Sequence, residues 1–200
     1  MYWYEEEVQR LERERQALKY TPRTLFYGSS SIRLWSDLYQ QFKELVPVNL
    51  GFGGSTMAAC VWFFDRIVPA FKPELIVIYA GDNDLGDGRH PEEVFIFFQH
   101  LMTKIRKRFG NIPVFFISIK PSICRRNILD RIRFTNQIIN EELSKDPDAC
   151  FIDVYHQMLD KYGHPVGAFF EEDGLHLNEK GYELWKAVIS LHIKSFFKQM

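Results

Sequence analysis

The sequence predicts an α/β fold: a three-layer α/β/α sandwich around a five-stranded parallel sheet in the flavodoxin-like order 2-1-3-4-5. Three observations carry that expectation. Five short apolar runs alternate with longer stretches of 3.6-residue periodicity. Runs such as LIVIYA (75–80) and VFFISI (114–119) are apolar nearly throughout and do not alternate, as expected of strands covered on both faces. The chain has 200 residues, 46% apolar and 16% aromatic, enough for one core and too few for a second domain of ordinary size.

The five runs predict strands at Thr24–Tyr27, Pro47–Leu50, Leu75–Ala80, Pro113–Ile119 and Cys150–Val154. Helices are expected over Ile32–Lys43, Thr56–Ala70, Pro91–Phe109, Arg126–Lys145 and Glu179–Phe197. Pro91 suits a first helical turn, where its missing N–H costs little, and Asn178 suits an N-cap. Residues 1–22 read as a charged helix added ahead of the domain (23–200). Val8, Leu11 and Leu18 form its apolar stripe, and Glu6 and Arg10 sit four apart. Tyr2, Trp3 and Tyr4 are the only hint of a partner surface or homodimer.

Charge and composition exclude several classes. Twenty-five basic and 26 acidic residues leave a net charge of −1, which gives no general attraction to nucleic acid or an anionic membrane. No apolar run approaches the ~20 residues that span a bilayer. The N-terminus, MYWYEEEVQRLERER, lacks an apolar signal segment, so a cytoplasmic protein is expected. Cys60, Cys124 and Cys150 form no CxxC pair and read as buried, reduced thiols. Asp82, Asp84 and Glu93 have part of a calcium-loop spacing, but Gly86 and Asp87 occupy the wrong places, so no metal is expected.

In open parallel sheets ligands sit beyond the carboxyl ends of the strands. The residues there are Gly28–Ser31, Gly51–Ser55, Gly81–Asp84, Lys120–Ser122 and Tyr155–His156. Ser30 follows a strand and a glycine and opens a helix, where backbone N–H groups favour negative charge and an attacking hydroxyl fits. The bland alternative is that Ser29, Ser30 and Ser31 cap that helix. The segment matches neither a phosphate loop nor the GxSxG elbow, since Ile32 stands at the last glycine position. A serine nucleophile needs a base, and Asp173-Gly174-Leu175-His176 supplies an imidazole three residues from a carboxylate. Asp153-Val154-Tyr155-His156 has the same spacing; the later pair is preferred because Asp153 lies in an apolar run and Gly174 favours a turn. Gly54 and Asn83 are candidate donors to an oxyanion, although Asn83 on its own reads more simply as a turn residue.

In chain order, LFYGSSSIRLW (25–35), NLGFGGST (49–56), IYAGDNDL (78–85) and DGLHLNEKGY (173–182) resemble the four blocks of the SGNH (GDSL) hydrolase superfamily. The resemblance runs from about residue 24 to the C-terminus. It implies Ser30 as nucleophile, His176 as base and then acid, and Asp173 orienting it. It also implies an oxyanion hole from the N–H groups of Ser30 and Gly54 and the Asn83 amide; Gly53 is the neighbouring alternative to Gly54. The implied activity is cofactor-independent hydrolysis of small carboxylic esters, acetylated carbohydrates among them. Ser29 departs from the pattern, standing where the common signature has aspartate. Two other functions remain open on the sequence: an acyltransferase on the same residues, and a binding module that kept the fold without catalysis. Trp35 reads as packing, and Phe169 and Phe170 either line the substrate side or join the core.

Overall fold

A computed structural model describes residues 1–199. β1 (Thr24–Gly28), β2 (Pro47–Gly51), β3 (Leu75–Tyr79), β4 (Val114–Ile117) and β5 (Ala149–Ile152) form one parallel sheet in the order β2-β1-β3-β4-β5. Fold class, strand order and all five strands agree with the sequence-based expectation. The helices are α1 (Glu5–Ala17), α2 (Ser30–Arg33), α3 (Leu38–Gln41), α4 (Met57–Ile67), α5 (Asp82–Gly86), α6 (Pro91–Phe109), α7 (Leu129–Leu143) and α8 (Glu179–Gln199).

Alternate strand residues serve opposite layers. Leu25, Tyr27, Ile76, Ile78 and Phe116 pack with α1, α4, α6 and α7, whereas Phe26, Val77, Tyr79, Phe115 and Ile117 pack with α2, α3 and α8. Both faces of the sheet are therefore dry, which is why the runs do not alternate in polarity. Thr56 caps α4 by accepting from the Ala59 N–H at 3.0 Å, Asn178 caps α8 by accepting from Gly181 at 3.1 Å, and Pro91 begins α6. The N-terminal helix is packed along its stripe. Tyr4, Val8 and Leu11 are buried among Phe52, Phe63 and Ile67.

Three expected helices are shorter than their periodicity; the stretch 56–70 is helical only over Met57–Ile67, ending just before Pro69. The stretch 32–43 is broken into α2, α3 and a 3₁₀ turn at Lys43–Leu45. Its stripe survives, since Ile32, Trp35, Leu38 and Phe42 are all buried, but the backbone turns near Ser36 and Asp37, which favour caps over helix interiors. Periodicity reports the buried stripe and not the continuity of the backbone. The stretch 126–145 begins as 3₁₀ (Ile123–Ile128), irregular at Arg125, and becomes α-helical only at Leu129. Trp35 is core, against Phe26, Phe42, Tyr182 and Trp185, and Phe170 is buried in the same cluster. All three cysteines are free, but Cys124 is exposed, because it lies on the 3₁₀ segment over the strand ends and not in a layer.

Leu11→Ala should destabilise the whole domain by about 2–4 kcal/mol in urea unfolding, because it opens a cavity in the main core. An unchanged midpoint would mean that α1 contributes nothing to that core.

Candidate active site

The strand register aligns Gly28 with both Gly51 and Tyr79, so three turns leave the same edge of the sheet side by side. Gly28 has φ +146°, and a Cβ there would lie 1.9 Å from the Tyr79 carbonyl oxygen. Only glycine fits. The Ser29 N–H then donates to that same carbonyl at 2.9 Å, which sets the start of α2. Ser29 takes the N-cap position without a side-chain capping bond, so it does not fill the capping role that the bland alternative gives the serines. Ser30, the first residue of α2, is half-buried.

The second turn carries Gly53, half-buried, and Gly54, exposed, with open space where a Gly54 side chain would be. The third carries Asn83, whose Nδ2 donates to the Ser55 carbonyl at 3.0 Å. That bond ties the third turn to the second and leaves the other amide hydrogen uncommitted to it.

Asp173 Oδ1 accepts from the N–H groups of Leu175 (2.8 Å) and His176 (2.9 Å), while Oδ2 lies 2.6 Å from His176 Nδ1. The two backbone donors, helped by the imidazole, hold the Asp173 carboxyl down at about 2. Ionised, it can only accept, so Nδ1 is the nitrogen that carries a proton toward it, and Nε2 is the ring nitrogen left for other partners. The rival turn has the same imidazole contact with one backbone bond fewer: Asp153 accepts from the His156 N–H at 3.1 Å and lies 2.6 Å from its Nδ1. The second backbone bond of the Asp173 turn, from Leu175, goes with Gly174 at φ +63°, a left-handed conformation that Val154 does not share. Their surroundings differ. His176 borders a cavity of about 450 Å³ with Leu34–Asp37, the residues directly after α2, and with Glu171, Asn178 and Tyr182. Tyr182 donates to the Ser31 carbonyl at 3.1 Å, fastening α8 to the serine turn. His156 instead borders a separate cavity with Arg133, Asn136, Gln137 and Asn140 of α7, and its side chain is 68% exposed against 32% for His176.

Sequence reasoning missed a charge cluster beside Asn83, built on the buried pair Lys120–Asp82. Lys120, 1% exposed, donates to Asp82 Oδ2 at 2.7 Å and to the Tyr79 hydroxyl at 3.2 Å. Arg125 Nε lies 3.0 Å from Asp82 Oδ1, and its Nη2 is 3.5 Å from Asn83 Oδ1. Burial opposes the Lys120 charge, but Asp82 outweighs it and raises the ammonium above its ordinary range. The only sequence signal was a lysine directly after an apolar strand run. The 3₁₀ segment also joins the two halves of the region, since Cys124 N–H donates to the Gly174 carbonyl at 3.0 Å. Asp84, fully buried, accepts from the Met57 N–H at 2.6 Å at the start of α4. Asp82 and Asp84 thus point to different partners. Among the described residues no group of three or more His, Cys, Asp or Glu side chains is arranged to hold a metal, and no helix is long and apolar enough to cross a membrane.

The model of the GDSL-like lipase/acylhydrolase family matches residues 23–184, the sheet and all four turns included. The chain belongs to that family. Solved structures of similar fold include a GDSL-like lipase from Bacteroides thetaiotaomicron, 24% identical, covering 96% of this chain and 98% of that one with TM-score 0.79. A lipase/acylhydrolase from Enterococcus faecalis is 21% identical over 88% of this chain and 96% of that one, TM-score 0.70. A carbohydrate esterase family 3 protein from Talaromyces cellulolyticus is 14% identical, covering 90% and 100%, TM-score 0.70. No curated protein matches the chain. Within the acylhydrolase fold, α1 lies ahead of the segment that the family model matches.

Two stability measurements check the buried charges. Asp82→Asn should cost about 3–5 kcal/mol in urea unfolding, because it strands the Lys120 charge, and Lys120→Met in the same chain should recover much of the loss. Burial, only partly offset by the Met57 N–H, lifts the Asp84 carboxyl to about 6 from an unfolded value of 3.8. Below the unfolded value both states are protonated; between the two values the unfolded state loses its proton first. Stability should therefore fall on raising the pH from about 4 to 6, by about 1–3 kcal/mol. Asp84→Asn should flatten that slope.

Proposed function

We propose that this protein is a serine esterase hydrolysing small carboxylic esters through an acyl-enzyme on Ser30. The observation that carries the proposal is His176, its Nδ1 held by an ionised Asp173, bordering a cavity formed with the residues that follow the serine helix. Ser30 Oγ attacks the ester carbonyl carbon while His176 Nε2 takes its proton. The carbonyl oxygen becomes an oxyanion, met by the N–H groups of Ser30 and Gly54 and the free hydrogen of the Asn83 amide. Collapse expels the alcohol, which receives the proton from His176. Water, deprotonated by the same nitrogen, then attacks the acyl carbon; the bond to Ser30 Oγ breaks, His176 returns the proton to that oxygen, and the acid leaves. Asp173 stabilises the imidazolium in both halves.

On this reading the alcohol side of the substrate is a polyol such as a sugar. The cavity beside His176 carries Asp37, Gln41, Glu171, Asn178 and Glu179, which suit hydroxyl groups, and its lining includes no lysine or arginine to attract a phosphate or carboxylate. The Talaromyces carbohydrate esterase shares the fold and so supports this reading by analogy.

With an aryl acetate, Ser30→Ala and His176→Ala should each lower kcat by at least about 10³-fold with folding intact by circular dichroism. Asn83→Ala should lower it by about 10²–10³-fold. His156→Ala should change it less than about threefold. An organophosphate should label Ser30 alone, as mapped by mass spectrometry. Full activity in Ser30→Ala would overturn the proposal, and collapse in His156→Ala would move the base to the other aspartate–histidine turn.

A further inference from the structure

The N-terminal helix, with Tyr4 of the 3₁₀ turn (Tyr2–Tyr4) that leads into it, makes three hydrogen bonds to the glycine turn from one face. Tyr4 donates its hydroxyl to the Gly54 carbonyl at 3.0 Å. Glu7 Oε2 accepts from the Gly53 N–H at 3.1 Å. Arg10 donates to the Gly51 carbonyl at 2.9 Å. Residues 4, 7 and 10 are each three apart, so a helical backbone presents them as one row. The same Glu7 carboxylate also receives Arg33, through Nη2 to Oε1 at 3.1 Å and through Nε to Oε2. Arg33 is the last residue of α2, the four-residue helix that Ser30 opens.

One carboxylate therefore joins the serine helix to the turn that bears Gly54. The joint is short on its other side too. A Cβ on Gly51 would lie 2.3 Å from the Arg33 backbone nitrogen, so the end of β2 and the end of α2 meet backbone to backbone. Burial opposes the Glu7 charge, but the Gly53 N–H, with Arg10 and Arg33, outweighs it and holds the carboxyl below its ordinary range. Glu7 stays a charged acceptor for both arms.

We propose that α1 is a positioning element of the catalytic machinery, in which Glu7, flanked by Tyr4 and Arg10, sets the spacing between the Ser30 helix and the Gly53–Gly54 turn. The proposal rests on Ser30 as nucleophile and Gly54 as oxyanion donor. An oxyanion donor works only within a narrow distance of the developing charge, so a turn free to drift loses transition-state contact before it loses substrate. Glu7 touches no reacting atom and acts through Gly53 and Arg33.

The test is a kinetic cycle on the full chain with an aryl acetate, in which Glu7→Gln and Arg33→Gln are made singly and together. Each single variant should lower kcat about 10–100-fold with KM within about threefold. The double variant should be no worse than the poorer single one, because both cut the same bridge. Tyr4→Phe, which loses one hydroxyl and no charge, should lower kcat about 3–10-fold; it stands in if Glu7→Gln fails to fold. Amide hydrogen exchange at Gly53 and Gly54 should quicken in Glu7→Gln with the rest of the sheet unchanged. Wild-type kcat in Glu7→Gln and Tyr4→Phe, or strictly multiplicative losses in the cycle, would overturn the proposal. Ser30→Ala, run alongside, separates the two claims: if it is inactive while the α1 variants are unaffected, the esterase reading stands and the role of α1 falls. If Ser30→Ala is active, the esterase reading itself is wrong.

Discussion

At the end of β1 there is no room for a methyl group: the backbone of Gly28 lies against the Tyr79 carbonyl. Everything at the candidate site depends on that approach and its counterpart, Gly51 against Arg33. A bulkier residue at either place would push the serine helix off the edge of the sheet, and the neighbouring turns would no longer stand in register. Backbone groups can then meet a small charge directly. That is the geometry an oxyanion requires, and it needs donors that are already fixed when charge appears.

Polar groups around this edge are fixed in two tiers. Tyr4 and, in the first helix, Glu7 and Arg10 grip the glycine turn. Lys120 and Asp82, both buried, form a charge cluster with the half-buried Arg125 next to Asn83. Such clusters are poor sources of net stability, since removing the Lys120 ammonium and the Asp82 carboxylate from water costs about what their attraction returns. Their value lies in having one arrangement. A buried lysine with a single carboxylate within reach has nowhere else to go, so the residues beside Asp82 inherit its fixed position.

Two aspartate–histidine turns of related construction occur in one small domain, which shows how little such a turn says about chemistry. Each holds the histidine N–H and orients an imidazole, and each would do so on any surface. What also distinguishes them is the neighbour across the gap: Leu34–Asp37, the segment that follows α2, for one, and α7 for the other. Chemistry enters only where a second group faces the ring.

Strand positions and sheet order were readable in the sequence because burial on both faces leaves a mark in every residue of a run. The serine, glycine and asparagine turns were readable because they stand directly after those runs; the histidine turn, well beyond β5 and just ahead of α8, was readable only from its aspartate–histidine spacing and the family resemblance. Helix continuity was not: the stripe of Ile32, Trp35, Leu38 and Phe42 is equally well buried by a broken chain. Nor was the grip of Glu7 on Gly53, across 46 positions, or of Lys120 on Asp82, across 38. Local pattern records the face a residue must bury. A polar side chain's partner is chosen by whichever distant group the folded backbone brings within about 3 Å, and no spacing along the chain encodes that choice.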